Sequence, residues 1–127
     1  MNKKEINNSI QRILKERTEI DFAYLFGSFI EEELYNDIDI GIFIKTEVFK
    51  TFAGSDFSYA IKLALQIEKV IKKSVDIIIM NNAPDHLIYY ISKGKAIVNR
   101  DDNFRVDFIT QAWTRYFDFK FQRNLYL

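Results

Sequence analysis

Residues 37–44 read Asp-Ile-Asp-Ile-Gly-Ile-Phe-Ile, and this alternation limits the fold more than any other segment. Side chains of a strand point to opposite faces in turn, so Ile38, Ile40, Ile42 and Ile44 make one wholly apolar face. Asp37, Asp39 and Gly41 line the other. The two carboxylates stand about 6–7 Å apart at the Cα level. At an effective dielectric of about 20 their repulsion is on the order of 2–3 kcal/mol. Stability alone gives no reason to place such a pair beside four core isoleucines, whereas a bound divalent cation reverses the sign of that energy. Gly41 leaves space on the same face for a ligand. The alternative is that both carboxylates face water at the start of an edge strand.

The rest of the chain frames this strand. Ile6, Ile10, Ile13 and Leu14 predict a helix over about 3–17, with Asn2 and Glu5 as a capping pair. Residues 21–26 read as a strand ending at Gly27-Ser28. A helix over about 56–73 carries Phe57, Ala60, Ile61, Ala64, Leu65 and Ile71 on one broad apolar face, and Lys62, Lys69, Lys72 and Lys73 on a solvated one. Residues 75–80 form a third strand rich in β-branched side chains. Pro84 opens a short helix that Gly94 stops, Ala96-Ile97-Val98 gives a short fourth strand, and a last helix starts near Asp101 or Asp102. This order describes one α/β (α+β) domain spanning 1–127.

Composition removes several chemistries. With no cysteine, disulfides, thiolate catalysis and cysteine zinc sites are excluded. The lone histidine, His86, rules out multi-histidine metal centres and reads as a surface residue at a helix start. Eighteen basic residues balance eighteen acidic ones, so no direct nucleic-acid binding or anionic-membrane capture is expected. No apolar run is long enough to span a membrane, and Met1-Asn2-Lys3-Lys4 leads into a polar helix, so the expectation is a soluble, cytoplasmic domain.

Two further elements bear on chemistry. Gly27-Ser28 between a strand and a helix can bring backbone N–H groups to a phosphate, although Ser28-Phe29-Ile30-Glu31 also has the S-x-x-E form of a capping box. Asp76 stands opposite Val75, Ile77 and Ile79 on its strand. A carboxylate inside such a run must be exposed, paired or metal-bound. If its strand neighbours that of Asp37 and Asp39, three carboxylates converge in a way that suits two-metal phosphoryl or nucleotidyl transfer.

Gly27-Ser28, Asp37-x-Asp39 and a later strand aspartate, Asp76, resemble the nucleotidyltransferase signature of the DNA polymerase β superfamily. Asn82-Ala83-Pro84, Leu87, Tyr90, Ile91, Gly94-Lys95 and Ile97, then Tyr116 and Asp118-Phe119-Lys120, sharpen the likeness to the minimal nucleotidyltransferase (MNT) antitoxins of HEPN–MNT toxin–antitoxin pairs. The resemblance covers about residues 20–120. It implies a mixed sheet of about four strands flanked by helices, Mg²⁺ held by Asp37, Asp39 and Asp76, and a triphosphate held by Gly27 and Ser28. It also implies transfer of AMP from ATP to a tyrosine of a HEPN ribonuclease partner, with Asp76 helping to deprotonate the attacking hydroxyl. The HEPN Arg-x₄₋₆-His motif is absent, since no arginine lies that close before His86.

The chain departs from the family pattern where Phe29-Ile30-Glu31-Glu32-Glu33 replaces the usual basic residue after Gly-Ser and Asn36 replaces a common serine. Lys45, Lys93, Lys95 and Arg100 are the candidates to supply the missing charge. The acidic stretch keeps open a second reading, a non-catalytic antitoxin with a degenerate nucleotide site that neutralises its partner by binding alone. Transfer to a small molecule usually requires an added substrate domain, for which there is no length. Tyr89 and Tyr90 are expected to pack the short helix, with a nucleobase contact as the alternative. Phe104, Phe108, Ala112 and Tyr116 follow helical spacing, and Trp113, Phe117, Phe119, Phe121 and Tyr126 spread around the same helix. This makes the segment at about 102–120 the expected interface element of a homodimer or hetero-oligomer.

Overall fold

The structure, a computed structural model, describes residues 1–125; Tyr126 lies outside them. Four strands, β1 (Ile20–Phe26), β2 (Ile38–Ile44), β3 (Val75–Ile79) and β4 (Lys95–Asn99), form one sheet in the order β3-β2-β1-β4. β1 is antiparallel to β2 and β4, whereas β2 and β3 are parallel. A parallel pair needs a long crossover. Here it contains α3 (Thr46–Phe49), a 3₁₀ turn at Lys50–Phe52 and α4 (Asp56–Ile71). The remaining helices are α1 (Lys3–Glu16), α2 (Ser28–Glu31), α5 (Asp85–Ser92) and α6 (Asp102–Leu125). α1 begins with the expected capping box between Asn2 and Glu5.

Both faces of the sheet are covered, which explains how so many apolar residues fit in a short chain. The four isoleucines of β2 are fully buried against Ile6, Ile10 and Leu14 of α1 and Leu63 and Ile67 of α4. Each such side chain contributes about 1.5–3 kcal/mol on burial. The opposite face is aromatic: Phe22, Tyr24, Phe26 and Phe43 pack with Met80, Ile88, Ile91 and Ala112, beneath α5 and α6. Phe22 and Phe43 stack at 5.0 Å, and Phe108 of α6 meets Phe43 at 4.9 Å. Phe104, Phe108 and Ala112 therefore belong to the core side of α6.

Three sequence expectations need correction. β2 lies inside the sheet, between β3 and β1, so its aspartates do not begin an edge strand. The space left by Gly41 is filled by protein, because a Cβ there would sit 2.8 Å from Ile91 Cγ2 and 3.1 Å from Met80 Sδ. On α4 the buried stripe is Ala60, Leu63, Ile67 and Ile71, while Phe57, Ile61 and Leu65 are exposed. The apolar arc of α4 spans roughly half the helix circumference at about 100° per residue. The sheet ends at β3, so it covers only one side of that arc.

The pairing brings the C-terminal end of β1 together with the N-terminal ends of β2, β3 and β4. Phe26 is opposite Asp39, Asp39 is beside Asp76, and Leu25 is opposite Lys95. Gly94, in the turn before β4, packs so tightly here that an added Cβ would lie 2.0 Å from the Leu25 carbonyl oxygen and 2.9 Å from Phe26 Cα. Backbone cannot give way as a flexible side chain can. Gly94→Ala is expected to destabilise the protein by about 1–3 kcal/mol or more, read as a fall in Tm by thermal unfolding.

Candidate active site

Gly27 ends β1 with φ 78° and ψ −155°, a region open to glycine and strained for other residues. A Cβ at this position would stand 2.5 Å from Asp39 Oδ2, so the missing side chain is what lets the turn close over that carboxylate. Gly27 is the residue that caps α2, and Ser28 is its first helical residue. No side chain caps α2, so the S-x-x-E segment does not form a capping box and the Ser28 hydroxyl is not spent on one. As at any helix start, the N–H groups of Ser28 and Phe29 have no intrahelical acceptor.

Asp39 and Asp76 are paired residues of the parallel ladder, and parallel partners project from the same face. Their neighbours on that face, Phe26 and Ile78, border the aromatic layer. Asp37 is in the loop just before β2 and is exposed, as is Asp76 on the edge strand; Asp39 is half-buried. Burial, then the negative charge of Asp76, then that of Asp37 push the Asp39 pKa above its usual 3.8. Asp39 thus feels both of the other aspartates. Because Asp37 precedes the strand, they do not close into a compact group: among the described residues no three acidic or imidazole side chains are placed to hold a metal ion as they stand.

Charge balance identifies what the site lacks. The ion pairs among the described residues are Arg17–Glu19, Arg105–Asp102 and Arg115–Asp85, and none involves Asp37, Asp39 or Asp76. Hard oxygen donors with no basic partner suit Mg²⁺, so the donor set fits that ion. Of the four candidate cations, two are at the wrong end of the sheet. Lys45 follows the last residue of β2, and Arg100, after β4, donates through Nε to the Ile20 carbonyl at 2.7 Å and through Nη2 to that of Lys15 at 2.7 Å. Lys93 and Lys95 flank Gly94 at the site end. Lys93 Nζ lies 4.5 Å from the Tyr89 ring centroid. Its pKa is raised first by a hydrogen bond with Tyr89, and in smaller part by the charge of Glu31. Glu31, Glu32 and Glu33 are all exposed, and the charge of Glu31 is felt at Lys93.

Tyr90 packs edge-on against Phe26 at 5.8 Å and keeps 46% of its surface exposed, whereas Tyr89 is enclosed by Trp113, Tyr116 and Phe117. His86 is exposed in the first turn of α5. Sequence reasoning missed Lys3, which reaches across from α1 to the end of α2. Contacts at such separation leave no local pattern to read.

The raised pKa of Asp39 gives a signed prediction for the metal-free protein. A carboxyl whose folded pKa is raised favours folding while protonated, so its contribution is complete below about 3.8 and is lost as pH rises through the folded value. Asp39→Asn should therefore raise Tm at pH 7 in chelator, with the gain shrinking as pH falls toward the ordinary carboxylate range. A lower Tm at pH 7 would contradict this electrostatic account.

The family described as "Polymerase beta, Nucleotidyltransferase" matches residues 8–103. No curated protein matches the sequence significantly. Among solved structures, the fold is similar to a chain from the complex of a tri-AMPylated Shewanella oneidensis HEPN toxin with MNT antitoxin, at 20% identity and TM-score 0.72, covering 97% of this chain and 93% of that one. It is also similar to a chain of a toxin–antitoxin structure with AMP-PNP, at 19% identity and TM-score 0.73, covering 94% and 93%. A chain of an MntA–HepT toxin–antitoxin structure gives 18% identity and TM-score 0.71, covering 96% and 93%. No helix of the described residues is long and apolar enough to cross a membrane.

Proposed function

The chain belongs to the polymerase β nucleotidyltransferase family, and from that premise we propose that it is an antitoxin that transfers AMP from ATP to a tyrosine of a HEPN-domain partner, silencing it. The observation that carries this reading is the register of Asp39 beside Asp76 under the Gly27 turn. Two of the similar structures support it, one containing a tri-AMPylated HEPN toxin and one AMP-PNP. The reaction belongs in the cytoplasm, where its ATP is available.

In this reading Gly27 and Ser28 receive the triphosphate, since the glycine admits close approach and the first-turn N–H groups are open. Asp37, Asp39 and Asp76 would hold Mg²⁺, which when bound would supply neutralisation of the triphosphate and polarisation of the α-phosphoryl group. The partner's tyrosine oxygen forms a bond to the α-phosphorus, the bond from that phosphorus to the bridging oxygen of the β-phosphate breaks, and pyrophosphate leaves. Asp76 takes the tyrosine proton. Its exposure on the edge strand gives a protein hydroxyl access that half-buried Asp39 lacks. Lys93 is the cation placed to offset the glutamates, because it feels the charge of Glu31. The non-catalytic reading draws its support from those glutamates, all three of which are exposed.

The partner is assigned to the outer half of α6. Trp113 Nε1 donates to Ser92 Oγ at 2.7 Å, two residues before Gly94, so this half emerges at the site end of the sheet. Beyond it Phe117, Phe119 and Phe121 are 45%, 62% and 65% exposed. Single exposed aromatics are ordinary, but a run of them on one helix end is what interface cores recruit.

Labelling from ATP carrying a radioactive α-phosphate tests the activity. Wild type with its HEPN partner should yield one labelled band, reduced on the order of a hundredfold or more in Asp37→Asn/Asp39→Asn and in Asp76→Asn. An unlabelled but bound and inhibited partner would favour the binding antitoxin. For the surface, Phe119→Ser/Phe121→Ser should weaken partner binding by at least about tenfold while leaving Tm within a few degrees; unchanged affinity would move the interface elsewhere.

A further inference from the structure

We propose that Lys3 is a positioning residue for the nucleotide site, an inference that rests on the transfer reading and deepens it. Lys3 opens α1, yet its Nζ donates to the carbonyl of Phe29 at 2.8 Å and also to that of Glu32. These carbonyls are at the C-terminal end of α2, where helical acceptors lack intrahelical donors. A cation is favoured beside that partially negative end, and hydrogen bonds from an ammonium are among the stronger ones. The same Nζ lies 5.3 Å from the centroids of both the Phe29 and Tyr35 rings. Those two rings meet edge to face at 4.8 Å. Tyr35 stands two residues before Asp37. One ammonium therefore fixes both the helix that carries Ser28 and the approach to Asp37.

The anchor is itself fixed. Ile6 and Ile10 are fully buried against the isoleucine face, and the Asn2–Glu5 capping box orders the turn that presents Lys3. By contrast, residues 32–37 have no helix or strand, and Leu34 among them is 88% exposed. Lys3, the Phe29–Tyr35 contact and the packing of Tyr35 on the isoleucine cluster tie this loop to the core. Lys3 thus helps to hold the phosphate-binding turn and the approach to Asp37 in place while touching neither Ser28 nor Asp37.

Lys3→Met keeps the aliphatic stem and removes the donors and the charge; Lys3→Arg keeps both. Affinity for the non-hydrolysable analogue AMP-PNP with Mg²⁺ is measured on the full chain, together with KM for ATP and kcat for AMP transfer to the HEPN partner. Lys3→Met should weaken analogue binding and raise KM for ATP by roughly tenfold or more, and Lys3→Arg should recover most of both. A purely structural role would lower Tm and the active fraction but leave KM and the analogue affinity of the folded protein unchanged, and that result overturns the proposal. Wild type that binds the analogue without transferring AMP removes the transfer reading and leaves the binding comparison to judge Lys3. Wild type that neither binds nor transfers removes both.

Discussion

Two carboxylates held side by side on a parallel ladder are the constraint around which this protein is arranged. Asp39 and Asp76 share a register position on adjacent strands, with Asp37 two residues upstream of Asp39. Strands lie about 4.8 Å apart, so the repulsion is worth a few kcal/mol at most before solvent screening reduces it. No basic side chain among the described residues forms an ion pair with any of the three. The strands can tolerate this because the same β2 residues that carry Asp39 bury four isoleucines on the other face. The isoleucine face fixes the register, and the register fixes the carboxylates, since a one-residue slip would turn Asp39 into the core.

From that constraint the surrounding choices follow. Gly27 must lack a side chain because Asp39 occupies the space beside it, and Gly94 must lack one because its turn presses on the end of β1. These close approaches gather the Gly27 turn, Asp39 and the Lys93–Lys95 turn at one end of the sheet. The opposite end is held by different means, with Arg100 donating to the Ile20 and Lys15 carbonyls. Among the described residues the site end carries three acidic groups that form no ion pair, which is where a triphosphate with its metal ion would change the sign of the electrostatics.

Much of this was legible in the sequence because the signals were local. The alternation in residues 37–44 gave β2 its faces, and the Asn2–Glu5 pair gave α1 its start. The neighbourhood of Asp76 and Asp39 was conditional on strand order, which no local pattern encodes. The same gap explains the misreadings. Gly41 looked like room for a ligand because Ile91, 50 positions along the chain, was not visible beside it. Phe57, Ile61 and Leu65 looked buried because the width of the sheet that α4 covers cannot be read from α4 itself. Lys3 carried no signal, since its partners, the carbonyls of Phe29 and Glu32, come from the far side of β1.

The central claim is that Asp39 and Asp76 act as one cation-dependent nucleotide site beneath the Gly27 turn. Calorimetric titration of the purified chain with AMP-PNP, in Mg²⁺ and in chelator, tests it most directly because it needs no partner. The account predicts binding that requires Mg²⁺ and is lost in both Asp39→Asn and Asp76→Asn. Binding of equal strength in chelator, or unchanged in either variant, would contradict it.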